Sequence, residues 1–187
     1  VLLSFIDMMR TLLIAIGLMF VVLTNARPCD DPKIKQHNGY WYQFVNCEKH
    51  WYDAEKYCKS TGAHLVSILN ENENKWLGDR IEELFFSGDR HKVWIGLKRL
   101  DCYGNEWKWT DNTRYHYANW QQHYPKCSTS NHLCVYLSLD QFARNGWTWI
   151  DADCNEQNGN KFVCKSRNRP RPAFRTDETG DTTGVVS

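Results

Sequence analysis

Apolar positions recur at helical spacing in two early stretches of the chain and at shorter, strand-like spacing in the stretches that follow. In HWYDAEKYCKSTG, Trp51, Ala54, Tyr57 and Cys58 fall at i, i+3, i+6 and i+7, and Gly62 follows where a helix would be capped, so the pattern predicts a first amphipathic helix. HLVSIL, from His64 to Leu69, alternates like a half-buried strand. NENENKWLGDRIEELFFSG then predicts a second helix: Trp76, Leu77, Ile81, Leu84 and Phe85 repeat at helical spacing, with Asn and Glu at the entry and Gly88 at the exit. Short strands are expected over Lys92 to Leu97, Glu106 to Asp111, Cys134 to Leu139, Trp147 to Ala152 and Lys161 to Lys165, with turn-forming residues between them.

Two helices followed by a run of strands argue for an α+β domain rather than a parallel sheet of βαβ units. The connection from Leu100 to Leu133 is long, and loops of that length in compact domains are usually functional. Part of it, NWQQHYPKCSTSNHLC, is rich in amides, imidazoles and hydroxyls. The end of the chain, residues 167–187, has breakers, few apolar residues and no period, and is expected to be a disordered tail. Lys165, Arg167, Arg169, Arg171 and Arg175 make its start basic; a solvated tail is the plain reading, contact with an anionic glycan or membrane surface the other.

Composition narrows the picture. A chain of 187 residues, 42% apolar and with nine Trp, suits one well-buried domain. A formal charge of +1, with no basic stripe along a helix, gives no reason to expect nucleic acid. Near the start, Arg10 precedes the 13-residue apolar run TLLIAIGLMFVVL, and TNA follows, ending at Ala26. That reads as a secretory signal peptide over residues 1–26, cleaved after Ala26, with residues 1–7 upstream of a start at Met8 or Met9. The run is short of the roughly 20 apolar residues of a membrane-spanning helix, so no transmembrane anchor is expected. Residues 27–38 are read as an N-terminal extension.

Export gives the eight cysteines a meaning: Cys29, Cys47, Cys58, Cys102, Cys127, Cys134, Cys154 and Cys164 are an even set in an oxidising compartment, so disulfides are the expectation. Structural zinc is not expected, because no close CxxC-type pair occurs. Nor is catalysis. Seven histidines come without a nucleophile motif, an HExxH or a phosphate-cradling glycine loop, and Glu82 and Glu83 sit on consecutive helix positions that face apart. His116, His123 and His132 with Asp151 are a conceivable zinc set, but exposed loop histidines are the commoner case.

In order along the chain, WYDAEKYC, HLVSI, VWIGL, WKWTD, YANW, CVYL, WTWIDADC and KFVCK resemble the C-type lectin-like domain family, over about residues 39–166. The resemblance implies two helices and two small antiparallel sheets with a long loop region. It implies pairing of Cys58 with Cys164 and of Cys134 with Cys154. Three pairings of the other four cysteines are possible, and the expected one joins Cys29 to Cys47 and Cys102 to Cys127. The Cys58–Cys164 loop exceeds 100 residues, worth about 4 to 5 kcal/mol on the chain-entropy model.

Family members that bind sugar hold calcium with a Glu-Pro-Asn or Gln-Pro-Asp triplet, a Glu two residues before the Cys that closes the loop, and an Asn-Asp pair after a Trp. Calcium takes six to eight oxygens, and carboxylates set its affinity. Here the triplet becomes Tyr124, Pro125 and Lys126, the Glu becomes His132, and the Asn-Asp pair becomes Ile150 and Asp151. Of these, Asp151 alone keeps a family ligand, and no Asp or Glu occurs from Asn112 to Leu139 to supply another. A lysine ammonium about 4 Å from Ca²⁺ costs roughly 2 kcal/mol in water's dielectric and more inside a protein. No calcium or other cofactor is therefore expected. The Lys126 ammonium would instead take the cation's place and pair with Asp151, or point to solvent. The family's motif proline is cis, which the resemblance carries to Pro125, although X-Pro bonds are mostly trans.

Trp94, Trp107, Trp120 and Trp149 are assigned to packing, and Tyr124 is the better surface candidate. The expected protein is a secreted, extracellular lectin-like binder of a glycan or glycoprotein, calcium-independent and not an enzyme, with the ligand loop at Tyr124, Pro125, Lys126, His132 and Asp151. Protein recognition without sugar specificity is the alternative. No heptad repeat precedes the domain, so a monomer is favoured. No Asn-X-Ser/Thr sequon lies in residues 27–187, so treatment with an N-glycosidase should leave the mass of the exported protein unchanged.

Overall fold

The computed structural model describes residues 29–85, 92–102, 104, 106–139, 146–156 and 160–172. The signal peptide and residues 173–187 of the expected tail lie outside them, as does Gly88. The chain begins with a hairpin of β1 (Lys33–His37) and β2 (Tyr40–Lys49). Asn38 and Gly39 turn it with φ of 47° and 79°, a left-handed pair that asparagine and glycine tolerate best. The extension assigned to residues 27–38 thus contains an edge strand of the domain.

Helix α1 (Trp51–Ser60) buries Trp51, Ala54 and Cys58 at the expected spacing. It ends where Gly62 turns left-handed at φ 78° and Ala63 N–H reaches back to the Cys58 carbonyl at 2.9 Å. Of HLVSIL, His64–Leu65 alone is a strand, β3. Beyond it Val66 is shared between two neighbours, donating to Val163 O and accepting from Gly96 N. Helix α2 (Glu71–Phe85) is capped reciprocally: Asn70 Oδ1 accepts from Glu73 N at 2.9 Å, and Glu73 Oε2 accepts from Leu69 N at 2.9 Å.

The remaining strands are β4 (Lys92–Arg99), β5 (Trp107–Trp109), β6 (His132–Leu139), β7 (Trp147–Asp153) and β8 (Asn160–Ser166). The α+β class stands, with two helices. The two small sheets expected are joined into one hydrogen-bonded path, β1-β2-β8-β4-β6-β7, with β3 on β8 and β5 on β4. The reason is β4, which is bonded on both sides: parallel to β8 through Val93 and Trp94, and antiparallel to β6 through Lys92 to Ile95. Its register then shifts between Ile95 and Lys98, and its second half pairs with β5. Gly96 sits at this bend, where an added Cβ would run into the Leu65 carbonyl oxygen.

Apolar side chains fill both faces. Leu77 and Ile81 of α2 cluster with Val66, Ile68, Val135 and Trp149; Trp51 and Ala54 of α1 cluster with Leu65, Trp94 and Phe162. One buried ion pair ties α2 to the sheet. Glu73 Oε1 holds Lys165 Nζ at 2.6 Å and accepts the Tyr42 hydroxyl at 2.7 Å, all three side chains being buried. Burial, and then the Glu73 charge, push the Tyr42 phenol well above its usual pKa.

All four expected disulfides are present: Cys29–Cys47, Cys58–Cys164, Cys102–Cys127 and Cys134–Cys154. The start of the expected tail is docked. Arg171 N–H donates to Thr61 O at 3.1 Å, and the Arg167 and Arg169 guanidinium groups lie 5.6 and 5.7 Å from the Tyr40 and Trp41 ring centres.

Gly78 on α2 faces the Trp147 indole, and a Cβ built there falls on the ring. Helix propensity favours alanine by about 1 kcal/mol, but overpacking a closed core costs about 1–3 kcal/mol. Gly78→Ala should therefore destabilise, by about 1 kcal/mol or more, read as a lower urea midpoint of the oxidised protein.

Candidate functional site

The long connection between β5 and β6 is built onto the free edge of β7. Trp149 N–H donates to Asn119 O at 2.8 Å and Gln121 N–H to Trp149 O at 3.0 Å, so the segment around Trp120 runs parallel to β7 like a further strand and covers the edge. Asn119 Nδ2 adds a bond to Trp147 O at 2.6 Å. The preceding run alternates: Tyr115 and Tyr117 turn partly inward while Arg114, His116 and Ala118 are exposed. Tyr117 packs edge-on against Trp149 at 5.6 Å, and Tyr115 Oη accepts from Trp120 Nε1 at 3.1 Å. Burial raises both phenols, Tyr117 from 10.0 to about 12 with a further push from the Glu71 charge.

The loop's tryptophans form its floor. Trp107 meets Trp120 at 4.8 Å, Trp120 meets Trp149 at 5.8 Å, and Trp149 Nε1 donates to Asn74 Oδ1 at 2.8 Å. Trp94 and Trp149 are fully buried, Trp107 nearly so and Trp120 half-buried. The four expected to pack do so: Trp107, Trp120 and Trp149 meet in a row, and Trp94 packs against Tyr136 in the cluster under α1.

Asp151 is the centre of the site. It follows Trp147 and Trp149 at the inward positions of β7, and its carboxylate is 0% exposed. Oδ1 accepts the Lys126 backbone N–H at 2.8 Å. Oδ2 accepts the Cys127 backbone N–H at 2.7 Å and Arg99 Nη2 at 3.1 Å. Arg99, 5% exposed, also donates to the His132 carbonyl at 3.1 Å and lies with Cζ 4.7 Å from the Trp107 ring centre. Cys127 is held at φ 49° between this bond and its disulfide to Cys102; a non-glycine residue adopts that left-handed form only where its surroundings enforce it. The Tyr124–Pro125 peptide is cis.

Of the two placements left open for the Lys126 ammonium, the pairing with Asp151 is not made and the solvent-exposed one is. Lys126 reaches Asp151 with its backbone amide, while Nζ lies 4.4 Å from the centre of the half-buried Tyr124 ring. Arg99 supplies the counter-charge instead. A guanidinium suits this place because Nη2 donates to a carboxylate and a carbonyl at once while the planar group lies over Trp107. Asp151 thus brings Lys126, Arg99 and, through Arg99, the His132 carbonyl together; Pro125 is exposed, and the Tyr124 side chain touches the group through the Lys126 ammonium alone. Arg99 and the Cys127 amide were missed by sequence reading. A signal for Arg99 existed: it continues the inward alternation Val93, Ile95, Leu97 of β4, as Asp151 continues Trp147 and Trp149 of β7. Two inward charges of opposite sign on one sheet, on the strands that flank β6, call for each other.

This α+β architecture, with a disulfide-braced loop seated on a sheet edge, is the C-type lectin fold. Residues 47–166 match the family model of the lectin C-type domain. The C-type lectin lectoxin-Lio1 of Erythrolamprus poecilogyrus is 32% identical over 146 residues, 77% of this chain and 84% of that protein. The C-type lectin mannose-binding isoform of Oxyuranus scutellatus is 30% identical over 164 residues, 84% of this chain and 98% of that protein. Among solved structures, human lithostathine is 28% identical with a TM-score of 0.61, covering 72% of this chain and 88% of its own. The carbohydrate-recognition domain of cow CD23, crystallised in the presence of a GlcNAc2Man3 oligosaccharide, is 26% identical with a TM-score of 0.56, covering 79% of this chain and all of its own. The chain belongs to the C-type lectin domain family.

The residues at the family's calcium positions do not fit the ion. Tyr124, Lys126, His132 and Ile150 offer no carboxylate, and both Asp151 oxygens are turned to the loop amides and Arg99. Among the described residues no group of three acidic, His or Cys side chains is placed to hold a metal.

If Asp151 organises the loop, Asp151→Asn should cost about 3–5 kcal/mol, since it leaves the Arg99 charge buried without its partner. Hydrogen exchange at the Lys126 and Cys127 amides should accelerate by more than global unfolding explains; unchanged protection there would show that the disulfide alone positions the loop.

Proposed function

We propose that this protein is an exported, non-enzymatic lectin that recognises carbohydrate without calcium, on the outer surface of the loop around Tyr124 and Lys126. The observation that carries this reading is the state of Asp151: two loop amides and the Arg99 guanidinium satisfy its carboxylate, so the loop is organised by the chain itself. Relatives support the carbohydrate part, one being named a mannose-binding isoform and another being a carbohydrate-recognition domain crystallised in the presence of an oligosaccharide. Among the described residues no helix is long and apolar enough to cross a membrane.

The loop surface favours sugar over protein. Hot spots for protein partners are usually exposed aromatic or arginine anchors. Here Trp107, Trp120, Tyr115 and Tyr117 face inward, and the large exposed apolar side chains among the described residues, Ile34, Tyr52 and Leu100, lie outside residues 101–139. What faces solvent is Gln122, His123, Lys126, Ser128, Thr129, Ser130 and Asn131, with Arg114 and His116 earlier in the loop, a set dominated by hydrogen-bonding groups suited to hydroxyls and with Arg114 as its one exposed arginine.

The oxidised Arg27–Ser187 protein, run over an immobilised glycan panel, should bind equally with excess calcium and with chelator, and its melting temperature should not change between them. Binding that calcium enables and chelator removes would overturn the reading. Silence in both conditions would turn attention to a protein ligand.

A further inference from the structure

The exposed groups of this loop carry a charge pattern as well as hydrogen bonds. From Asn112 to Leu139 the chain has no Asp or Glu. The same stretch exposes Arg114, His116, His123 and Lys126 to solvent. Asp151, the carboxylate that anchors its base, is fully buried and answered by Arg99, so it lends no negative field to the outer surface; Glu71 of α2 acts on the inward-facing Tyr117. Among the described residues no ion pair joins Arg114 or Lys126 to a carboxylate, whereas Lys59, Lys75 and Lys108 each have one; the exposed Arg167, Arg169 and Arg171 at the start of the tail are likewise without one. Lys126 Nζ rests on the Tyr124 ring, a weak partner that leaves its charge available. The Trp120 to Tyr115 hydrogen bond ties the Arg114–His116 run to the segment on the β7 edge, so both stretches belong to one braced platform.

Resting on the carbohydrate reading above, we propose that the ligand of this loop is an acidic glycan, whose sulfate or carboxylate groups are met by Lys126 and Arg114 while the flanking amides and hydroxyls meet its sugar hydroxyls. In a metal-dependent lectin the cation is the ion; in this protein the loop presents its own cations to the ligand. A neutral sugar would leave the ammonium and guanidinium without return for their lost hydration, which makes the site selective by charge. An acidic protein is the less favoured partner, because among the described residues the loop's one large exposed apolar side chain is Leu100, next to β4 and outside the 112–139 stretch that carries the cations.

The test uses the oxidised Arg27–Ser187 chain with heparin, which carries sulfates and carboxylates, hyaluronan, which carries carboxylates alone, neutral mannan, and polyglutamate as the protein-like anion. Heparin or hyaluronan should bind at least tenfold more tightly than mannan, and hyaluronan alone decides whether carboxylate suffices. Binding should weaken about tenfold between roughly 0.05 and 0.5 M salt, as screening requires. Lys126→Glu and Arg114→Glu should each lower acidic-glycan affinity tenfold or more without changing the melting temperature, since both side chains are exposed and the Lys126 amide bond to Asp151 is retained. Arg169→Glu, at the separate basic row beside Trp41, should leave it unchanged. Mannan bound as tightly as the acidic glycans would overturn the inference and leave the carbohydrate reading standing. No binding to any glycan would overturn both. Affinity that follows Arg169 instead of Lys126, or polyglutamate bound as well as heparin, would also overturn it.

Discussion

The loop of this C-type lectin domain depends on one buried carboxylate. Asp151 lies at the end of β7 with no exposure to water, and an isolated charge there would be too costly to keep. Its stability comes from three donors that belong to two different parts of the chain: Arg99 at the end of β4, and the amides of Lys126 and Cys127 in the long loop. Because each donor is needed, the carboxylate dictates where the loop passes. The Cys102–Cys127 disulfide, the parallel bridge of Trp120 to Trp149 and the left-handed turn at Cys127 all agree with that single placement. Arg99 in turn rests on Trp107, which carries the arrangement into the aromatic floor.

A second buried carboxylate works in the same way on the other side of the domain. Glu73 closes the N-terminal cap of α2 with one oxygen and holds Lys165 and Tyr42 with the other. A helix start, β2 and β8 are thereby registered to one another in a core that is otherwise apolar and non-directional. These two acids convert a hydrophobic α+β layer arrangement into a specific one, Glu73 by fixing the scaffold and Asp151 by fixing the surface built on it.

This arrangement bears on function through what it leaves outside. A loop organised by an external ion must keep carboxylates near its surface to hold that ion. Here the organising cation is a side chain, the remaining ligand positions are Tyr124, Lys126, His132 and Ile150, and the surface is free to be polar and basic. The aromatic residues that in isolation suggest sugar stacking or a protein hot spot are consumed in supporting the loop from beneath.

Much of this was legible in the amino-acid sequence, because it depends on local pattern. Helical spacing in 51–62 and 71–85, alternation in the later strands, an even set of cysteines and the missing acidic residues of the loop are properties of short stretches, and the resemblance to C-type lectins gathered them into one fold and one set of disulfides. Asp151 was legible as the surviving acid. Its partner was not: the Lys126 ammonium was the candidate for that place, as the charged residue that stands where a ligand stood, with solvent as its other placement. In the folded chain the Lys126 backbone, not its side chain, faces Asp151, and Arg99, more than 50 residues away in sequence, fills the space. The joining of the sheets through β4 and the docking of Arg167 to Arg171 were hidden for the same reason. Periodicity tells which side of an element faces inward, but which inward group meets which is decided only when distant strands are brought side by side and each buried charge must find a partner.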